Sequence, residues 1–386
     1  MFERNHSGGA TFLTTLLSRS TLGLCFVTLA VTIFHYNHTF QLSDLSYLDA
    51  SPIHGEGHHP ATTNNNQKIP DYRVDETCKA LPTIRPSGSY FLDSKIKAGN
   101  SSEGVSPSFH VGSYMAEKIK YHMQGDRDNF QLIKERLWNK AGGIALDIGA
   151  NQGFYTYYLA SLGMDVHSFE INAQNFKALQ HGAEFNPKEV SDRVHLYPVG
   201  MGDRNARFGM NGSGYGGFLK GGDTNDSGGG PILGVTMDCF FHHTSPTLDW
   251  SNHGVAFVKI DVEGFEIAVL KGAKNSLFRQ GGGDRKVGAL IMEVGPDRWG
   301  RSGIDLEEGV REMMDLATHF RNSYIILRGD KNCPWSLAEE TLADKNPRTL
   351  DTNKQQMYKV ATNEEWKNLL QKMETNGSDC NFFYQN

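Results

Sequence analysis

Several features are scarce in this 386-residue chain, and each scarcity excludes something. There is no basic excess: 38 Lys and Arg stand against 44 Asp and Glu, a formal charge of −6. A broad nucleic-acid-binding surface needs the opposite balance, so no nucleic-acid partner is expected. Cysteine is sparse at five, and no C-x-x-C pair exists, which argues against a zinc site. The dinucleotide fingerprint G-x-G-x-x-G is missing from the one glycine turn placed to carry it, and no Walker G-K-[ST] follows that turn. Glycine, by contrast, is abundant at 42 residues, much of it in loops.

Charge is also absent from Ser20 to Ser43. The apolar core of that stretch, Leu22 to Phe34 with its flanks, makes roughly 16–20 residues, enough to span a thin bilayer. Arg4 and Arg19 lie before it; Asp44, Asp49 and Glu56 precede the next lysine, Lys68. The positive-inside rule then puts residues 1–19 in the cytoplasm, a signal-anchor at 20–36, and the rest across the membrane. A cleaved signal peptide fits less well, because His-Tyr-Asn-His rather than a small-x-small site follows Phe34. Residues 37–75 read as a polar stem, in which His54, His58 and His59 lack the framework of a metal site. The expectation is a single-pass type II protein with its body in the Golgi or ER lumen. That placement suits the sequons at Asn37, Asn100, Asn211, Asn225 and Asn376. It also permits two disulfides among Cys78, Cys239, Cys333 and Cys380, in any of three connectivities, or leaves some as buried thiols.

Residues 144–156 organise the remainder. Ile144, Leu146 and Ile148 give a buried strand, Gly149 and Gly153 a sharp turn, and Phe154 to Leu162 a helix stopped at Gly163. A strand, glycine turn and helix begin a doubly wound nucleotide-binding domain. Asp147-x-Gly149-x-Asn151-x-Gly153 has no phosphate cradle, which suits S-adenosylmethionine (SAM): turn amides meet its carboxylate and Asp147 its amino end. A second strand, 164–169, ends at Glu170, about 20 residues on, where a carboxylate grips a ribose diol. Val194–Val199 is a third strand, and Gly200-Met201-Gly202-Asp203 after it offers a wall for the adenine. The glycine-dense stretch 209–231 reads as a flexible loop or hairpin, a lid or an insertion without function.

A fourth strand, 255–260, ends in Asp261-Val-Glu263-Gly264. Neighbouring the first strand across the switch point, Asp261 and Glu263 would face the methyl group and the acceptor. There they can take a hydroxyl proton or hold a divalent cation. Strands at 287–294 and 324–327 follow, and Met357–Val360 is the expected seventh, inserted antiparallel. Residues 113–139 read as two helices broken at Gly125-Asp126. The tail beyond Glu364 has no clear pattern.

Asp147-Ile-Gly-Ala-Asn-Gln-Gly-Phe-Tyr-Thr156, Phe169-Glu170, Thr236-Met-Asp238 and Val258-Lys-Ile-Asp-Val-Glu-Gly264-Phe-Glu266 with Val269-Leu-Lys-Gly-Ala273 resemble the FkbM-type SAM-dependent methyltransferases. The resemblance covers roughly residues 140–330. It implies an α/β, Rossmann-like class I methyltransferase: a seven-stranded, mostly parallel sheet with helices on both faces and a last strand that is antiparallel. It also implies methyl transfer from SAM to a hydroxyl. Carried over, Asp147, Gly149, Asn151, Gly153 and Glu170 match the cofactor site, joined by Gly202 from the reading above. Asp261 and Glu263 match the acids of the reaction centre, Asp261 the first choice of base. The anchor, stem, glycine-rich insertion and long C-terminal part depart from the family pattern.

The expected organisation is therefore a tail (1–19), anchor (20–36), stem (37–75), lead-in helices (76–139), methyltransferase domain (140–330) and C-terminal extension (331–386). The expected activity is O-methylation of a small-molecule, glycan or glycolipid acceptor, with SAM as cofactor and no metal. An inactive scaffold of the same fold and a nicotinamide-dependent sugar-modifying enzyme are the competing readings. Oligomeric state is not legible.

Overall fold

The computed structural model describes residues 97–100, 106–114, 116–137, 140–211, 218–220, 232–244, 254–278, 287–350 and 354–386. The anchor at 20–36, the stem, Cys25, Cys78 and the sequons at Asn37 and Asn225 lie outside them. Among the described residues, no helix is long and apolar enough to cross a membrane.

The described part opens with an antiparallel pair, β1 (Lys97–Asn100) and β2 (His110–Ser113), and a long helix, α1 (Ala116–Leu137). The central motif gives β3 (Ile144–Ile148) and α2 (Phe154–Ser161). Then come β4 (Asp165–Phe169), α3 (Ala173–Phe185), α4 (Lys188–Ser191) and β5 (Val194–Tyr197). A side sheet is built from β6 (Gly200–Met201), β7 (Ala206–Asn211), β8 (Phe218–Lys220) and β9 (Ile232–Val235). The second half runs α5 (Met237–Thr244), β10 (Val255–Ile260), α6 (Glu266–Gly272), β11 (Ala289–Val294), a 3-10 helix (Pro296–Ser302) and α7 (Leu306–Thr318). It ends with β12 (Asn322–Leu327), α8 (Ser336–Thr341), β13 (Arg348–Thr349), β14 (Gln356–Lys359), α9 (Asn363–Asn376) and β15 (Cys380–Gln385).

The main sheet has nine strands in the order β13-β14-β12-β15-β11-β10-β3-β4-β5. Only β14 and β15 run against the rest. The chain winds outward from β3 to β5, then returns to pair β10 with β3 in parallel. That reversal is the switch point, and it sits where the sequence put it. All five residues of β3 and all six of β10 are buried, as continuous apolar runs demand when helices cover both faces. One face carries α1, α2 and α3; the other carries α5, α6, α7 and α9.

Three expectations need correction. The inserted antiparallel strand is β15, not Met357–Val360: β15 pairs with both β11 and β12, while β14 lies outside β12 near the sheet edge. Edge strands β13 and β14 raise the expected seven strands to nine. The tail is ordered too, with α9 started by a reciprocal capping box between Thr362 and Glu365. Finally, α1 runs through Gly125-Asp126 without a break. A helical glycine costs only about 1 kcal/mol, and burial of Phe130, Leu132, Ile133 and Leu137 outweighs it. Part of the glycine-dense stretch is the β7–β8 hairpin; the rest lies outside the described residues.

Cys333 and Cys380 form a disulfide that ties the loop after β12 to the first residue of β15. Cys239 is also disulfide-bonded, with its partner outside the described residues.

Gly309 in α7 shows which force sets the packing. A Cβ there would lie 2.1 Å from ring carbons of the fully buried Trp299. Helix propensity favours alanine by about 1 kcal/mol, but the indole has nowhere to go. Gly309→Ala is expected to lower stability in urea by about 1–3 kcal/mol; a gain would contradict this packing.

Candidate active site

The turn after β3 is shaped by backbone rather than side chains. Gly149, Asn151 and Gly153 all have left-handed φ, at 81°, 52° and 93°. A Cβ on Gly149 would stand 1.8 Å from the Asp261 carbonyl oxygen, so the turns after β3 and β10 touch main chain to main chain. Gly153 has a different task. It is the N-cap of α2, and a Cβ there would strike Leu179 and the Tyr157 ring.

Glu170 lies at the tip of β4, on the wall of an open cleft. One carboxylate oxygen accepts from the Asn151 amide at 2.7 Å, the other from the Asn172 amide at 2.6 Å. Burial pushes its carboxyl up to about 7, although both amide hydrogen bonds pull the other way. Each oxygen keeps a further acceptor site toward the cleft. The apolar wall comes from Ile148, Phe169, Ile171, Val199, Met201 and Phe265; Asp261, Val262 and Glu263 close the far side. The Asn151 Oδ1 and Asn175 Oδ1 atoms, in two residues that line the cleft, are buried with no hydrogen-bond partner among the described residues.

Behind the cleft sits a buried cation. The Lys259 ammonium donates to the Gly149 carbonyl at 2.6 Å and lies 3.4 Å from Asp147 and 3.5 Å from Asp261. Burial alone would lower its pKa; the charges of Asp261 and Asp147 outweigh that and hold it above the usual lysine value. The Tyr155 ring is 5.4 Å from the ammonium, and its hydroxyl donates to Asp126 at 3.0 Å. Burial raises the Asp126 carboxyl, with the Tyr155 hydrogen bond opposing.

The two acids after β10 differ. Asp261 faces the cleft with its side chain about one-third exposed. Glu263 also has left-handed φ, 56°, and its carboxylate accepts from Arg298 at 2.7 Å. Both acids expected at the reaction centre therefore lie beside a cation, Glu263 beside Arg298 and Asp261 beside Lys259. Among the described residues, no three His, Cys, Asp or Glu side chains are grouped to hold a metal ion.

Of the residues expected at the cofactor, Gly149, Asn151 and Glu170 line the cleft. Asp147 does not reach it. Its carboxylate is fully buried, accepts from Thr156 at 2.6 Å and faces Lys259, so a direct grip on a ligand is replaced by support of the lysine. Gly202 lies past the wall made by Val199, Gly200 and Met201, with its carbonyl packed on Gly272. Sequence reasoning missed Lys259, Tyr155, Asp126, Arg298 and Asp379 as parts of the site. Lys259 carried a signal: a lysine inside an otherwise apolar strand is buried and needs partners.

The family model described as the methyltransferase FkbM domain matches residues 147–315. This stretch matches the FkbM-type methyltransferase domain that the sequence motifs resemble. The match begins at Asp147 and takes in both turns of the cleft. No curated protein sequence matches the chain. Solved structures similar to it include precorrin-6y C5,15-methyltransferase from Geobacter metallireducens GS-15, at 9% identity and TM-score 0.29 over 67% of this chain and 88% of that one. Another is geranyl diphosphate C-methyltransferase from Streptomyces coelicolor A3(2), solved with Mg2+, geranyl diphosphate and S-adenosyl-L-homocysteine, at 12% and 0.33 over 70% and 82%. A third is a SAM-dependent methyltransferase from Neisseria gonorrhoeae, at 15% and 0.24 over 43% and 59%. Likeness of this degree fixes neither site nor substrate.

In the methyltransferase domain, Lys259 is expected to be a structural necessity. Lys259→Met leaves Asp147 buried without a counter-charge and should cost about 3–5 kcal/mol in guanidinium unfolding at pH 7. A loss below about 1 kcal/mol would show that Asp147 does not depend on it.

Proposed function

We propose that this protein is a SAM-dependent O-methyltransferase acting on a hydroxyl of a glycan, glycolipid or other secretory-pathway acceptor. The observation that carries the reading is Glu170, pinned by two amides with both oxygens still able to accept, beside an apolar wall at the switch point. The residues present fit SAM. Glu170 takes the two ribose hydroxyls, Phe169, Ile171 and Met201 suit a flat base, and the unpartnered Asn151 Oδ1 can accept from an amino group.

When bound, SAM supplies a methyl group already activated on a sulfonium sulfur. The chain's part is positioning and proton removal. Asp261 would accept the proton of the acceptor hydroxyl, and S-adenosylhomocysteine would be the leaving group. Glu263, held by Arg298, orders its turn.

Secretory placement draws support from the Cys333–Cys380 disulfide, since such bonds persist in oxidising compartments. Asn376 of the last sequon is exposed at the end of α9, although its Ser378 is buried. With the uncharged stretch at 20–36 as anchor, the protein is a type II membrane protein with a lumenal domain. A scaffold role or a nicotinamide cofactor finds no specific support in the cleft.

Calorimetry with S-adenosylhomocysteine tests the cofactor. A ribose diol prefers the ionised carboxylate of Glu170, whose pKa in the free protein is about 7. Affinity should therefore rise about tenfold from pH 6 to pH 8, and Glu170→Gln should bind weakly and lose that dependence. The sign for folding is opposite: a raised carboxyl stabilises most below its unfolded value, and that contribution is lost as pH rises through about 7. Flat affinity with pH, or a stronger thermal shift from NAD than from SAM, would contradict the assignment. For the chemistry, Asp261→Asn should keep S-adenosylhomocysteine affinity within about threefold and lower methyl transfer from labelled SAM by about 10²–10⁴. Turnover near wild type would remove Asp261 from that role.

A further inference from the structure

Glu263 holds a left-handed backbone that non-glycine residues seldom adopt. One short element keeps it there. From the 3-10 helix, Arg298 donates to the Glu263 carboxylate at 2.7 Å, Arg301 to the Glu263 carbonyl at 2.9 Å, and Ser302 to the Gly264 carbonyl at 3.0 Å. The fit is close, since a Cβ on Gly264 would stand 2.5 Å from the Arg298 carbonyl oxygen. From inside, Gly264 donates its amide to the buried Glu266 carboxylate at 2.9 Å.

Arg298 has a second anchor on the far side. Its guanidinium lies 3.2 Å from Asp379 and 3.5 Å from Glu293. Asp379 is itself fixed from several directions. Its amide donates to the Asn332 carbonyl at 2.8 Å, and Arg328 donates to its carbonyl at 2.9 Å. The next residues along the chain, Cys333 in the loop after β12 and Cys380 at the start of β15, are joined by the disulfide. Hydrogen bond and disulfide thus clamp two adjacent residue pairs, with Asp379 held on the Arg298 side.

We propose that Arg298 is a positioning residue for the reaction centre, and that Asp379, set by the Cys333–Cys380 clamp, is its anchor. The C-terminal segment then acts on the cleft without touching its ligand. Covalent closure at Cys380 fixes Asp379, Asp379 orients Arg298, and Arg298 holds the Asp261–Gly264 turn that forms one wall. This rests on the cofactor reading above only in naming what the wall binds. The order of the turn is a property of the protein alone.

The test uses the full chain and two readouts. Amide hydrogen exchange across 261–266 is compared in wild type, Arg298→Met, Asp379→Ala and Asp379→Asn, and calorimetry gives the affinity for S-adenosylhomocysteine. Arg298→Met and Asp379→Ala should each speed exchange in that segment by about tenfold or more, with β3 and β4 unchanged, and weaken binding by a similar factor. Asp379→Asn keeps a hydrogen-bond acceptor for Arg298 and should recover most of both. The double variant should be no worse than Arg298→Met, because the two act in one line. Exchange at wild-type rates in either single variant overturns the proposal, whatever binds. If wild type fails to bind S-adenosylhomocysteine, the cofactor reading falls, and exchange alone still decides the positioning role. Should Arg298→Met not fold, the Asp379→Ala and Asp379→Asn pair carries the same decision.

Discussion

One buried ammonium joins the two halves of this site. Lys259 enters from β10 and reaches across to β3, where it donates to the Gly149 carbonyl and faces Asp147, while Asp261 stands on its third side. A lone charge at that depth is costly, and Lys259 and Asp147 are both buried. Each is tolerable because the other is there. The arrangement fixes the spacing of the two turns that bracket the cleft, and it explains why Gly149 has no room for a side chain. Asp147, which begins the family match, acts here through the lysine rather than on a ligand.

The other acids at the carboxyl end of the sheet divide by environment. Glu170 is desolvated yet held by two amides, so its carboxyl sits near neutrality and faces the cleft. Glu266, buried with one amide donor, is raised to about 7 as well, but it faces inward and supports Gly264. Burial, with Asp261 and Asp379 nearby, raises Glu293 well above the usual range. Asp261 lies on the cleft wall with its side chain about one-third exposed, beside Lys259. Similar side chains at one end of one sheet thus sit in separate environments, set by burial and by the amide, lysine or arginine that each one meets.

Much of this was readable from residue pattern. Buried parallel strands announce themselves as apolar runs ending in Asp147, Glu170 and Asp261, and glycine spacing located both turns. What escaped was of two kinds. The first was long-range pairing. Cys380–Gln385 is short, is buried throughout and shows no alternation, so nothing local marks it as a strand inserted between β11 and β12. The second was the partner of each charge. Glu263 reads as a catalytic acid in the string Lys-Ile-Asp-Val-Glu-Gly until Arg298, 35 residues on, is seen paired with it. Gly125 in α1 misled in the opposite direction, because a helix breaker yields when the residues after it are buried.

The claim on which the rest depends is that Glu170 holds a ribose at the switch point. A crystal structure of the protein with S-adenosylhomocysteine tests it most directly. The account predicts both ribose hydroxyls within about 3 Å of the Glu170 oxygens, the base against Phe169 and Met201, and the sulfur turned toward Asp261. A ligand bound with its ribose away from Glu170, or a cleft left empty at saturating ligand, would contradict it.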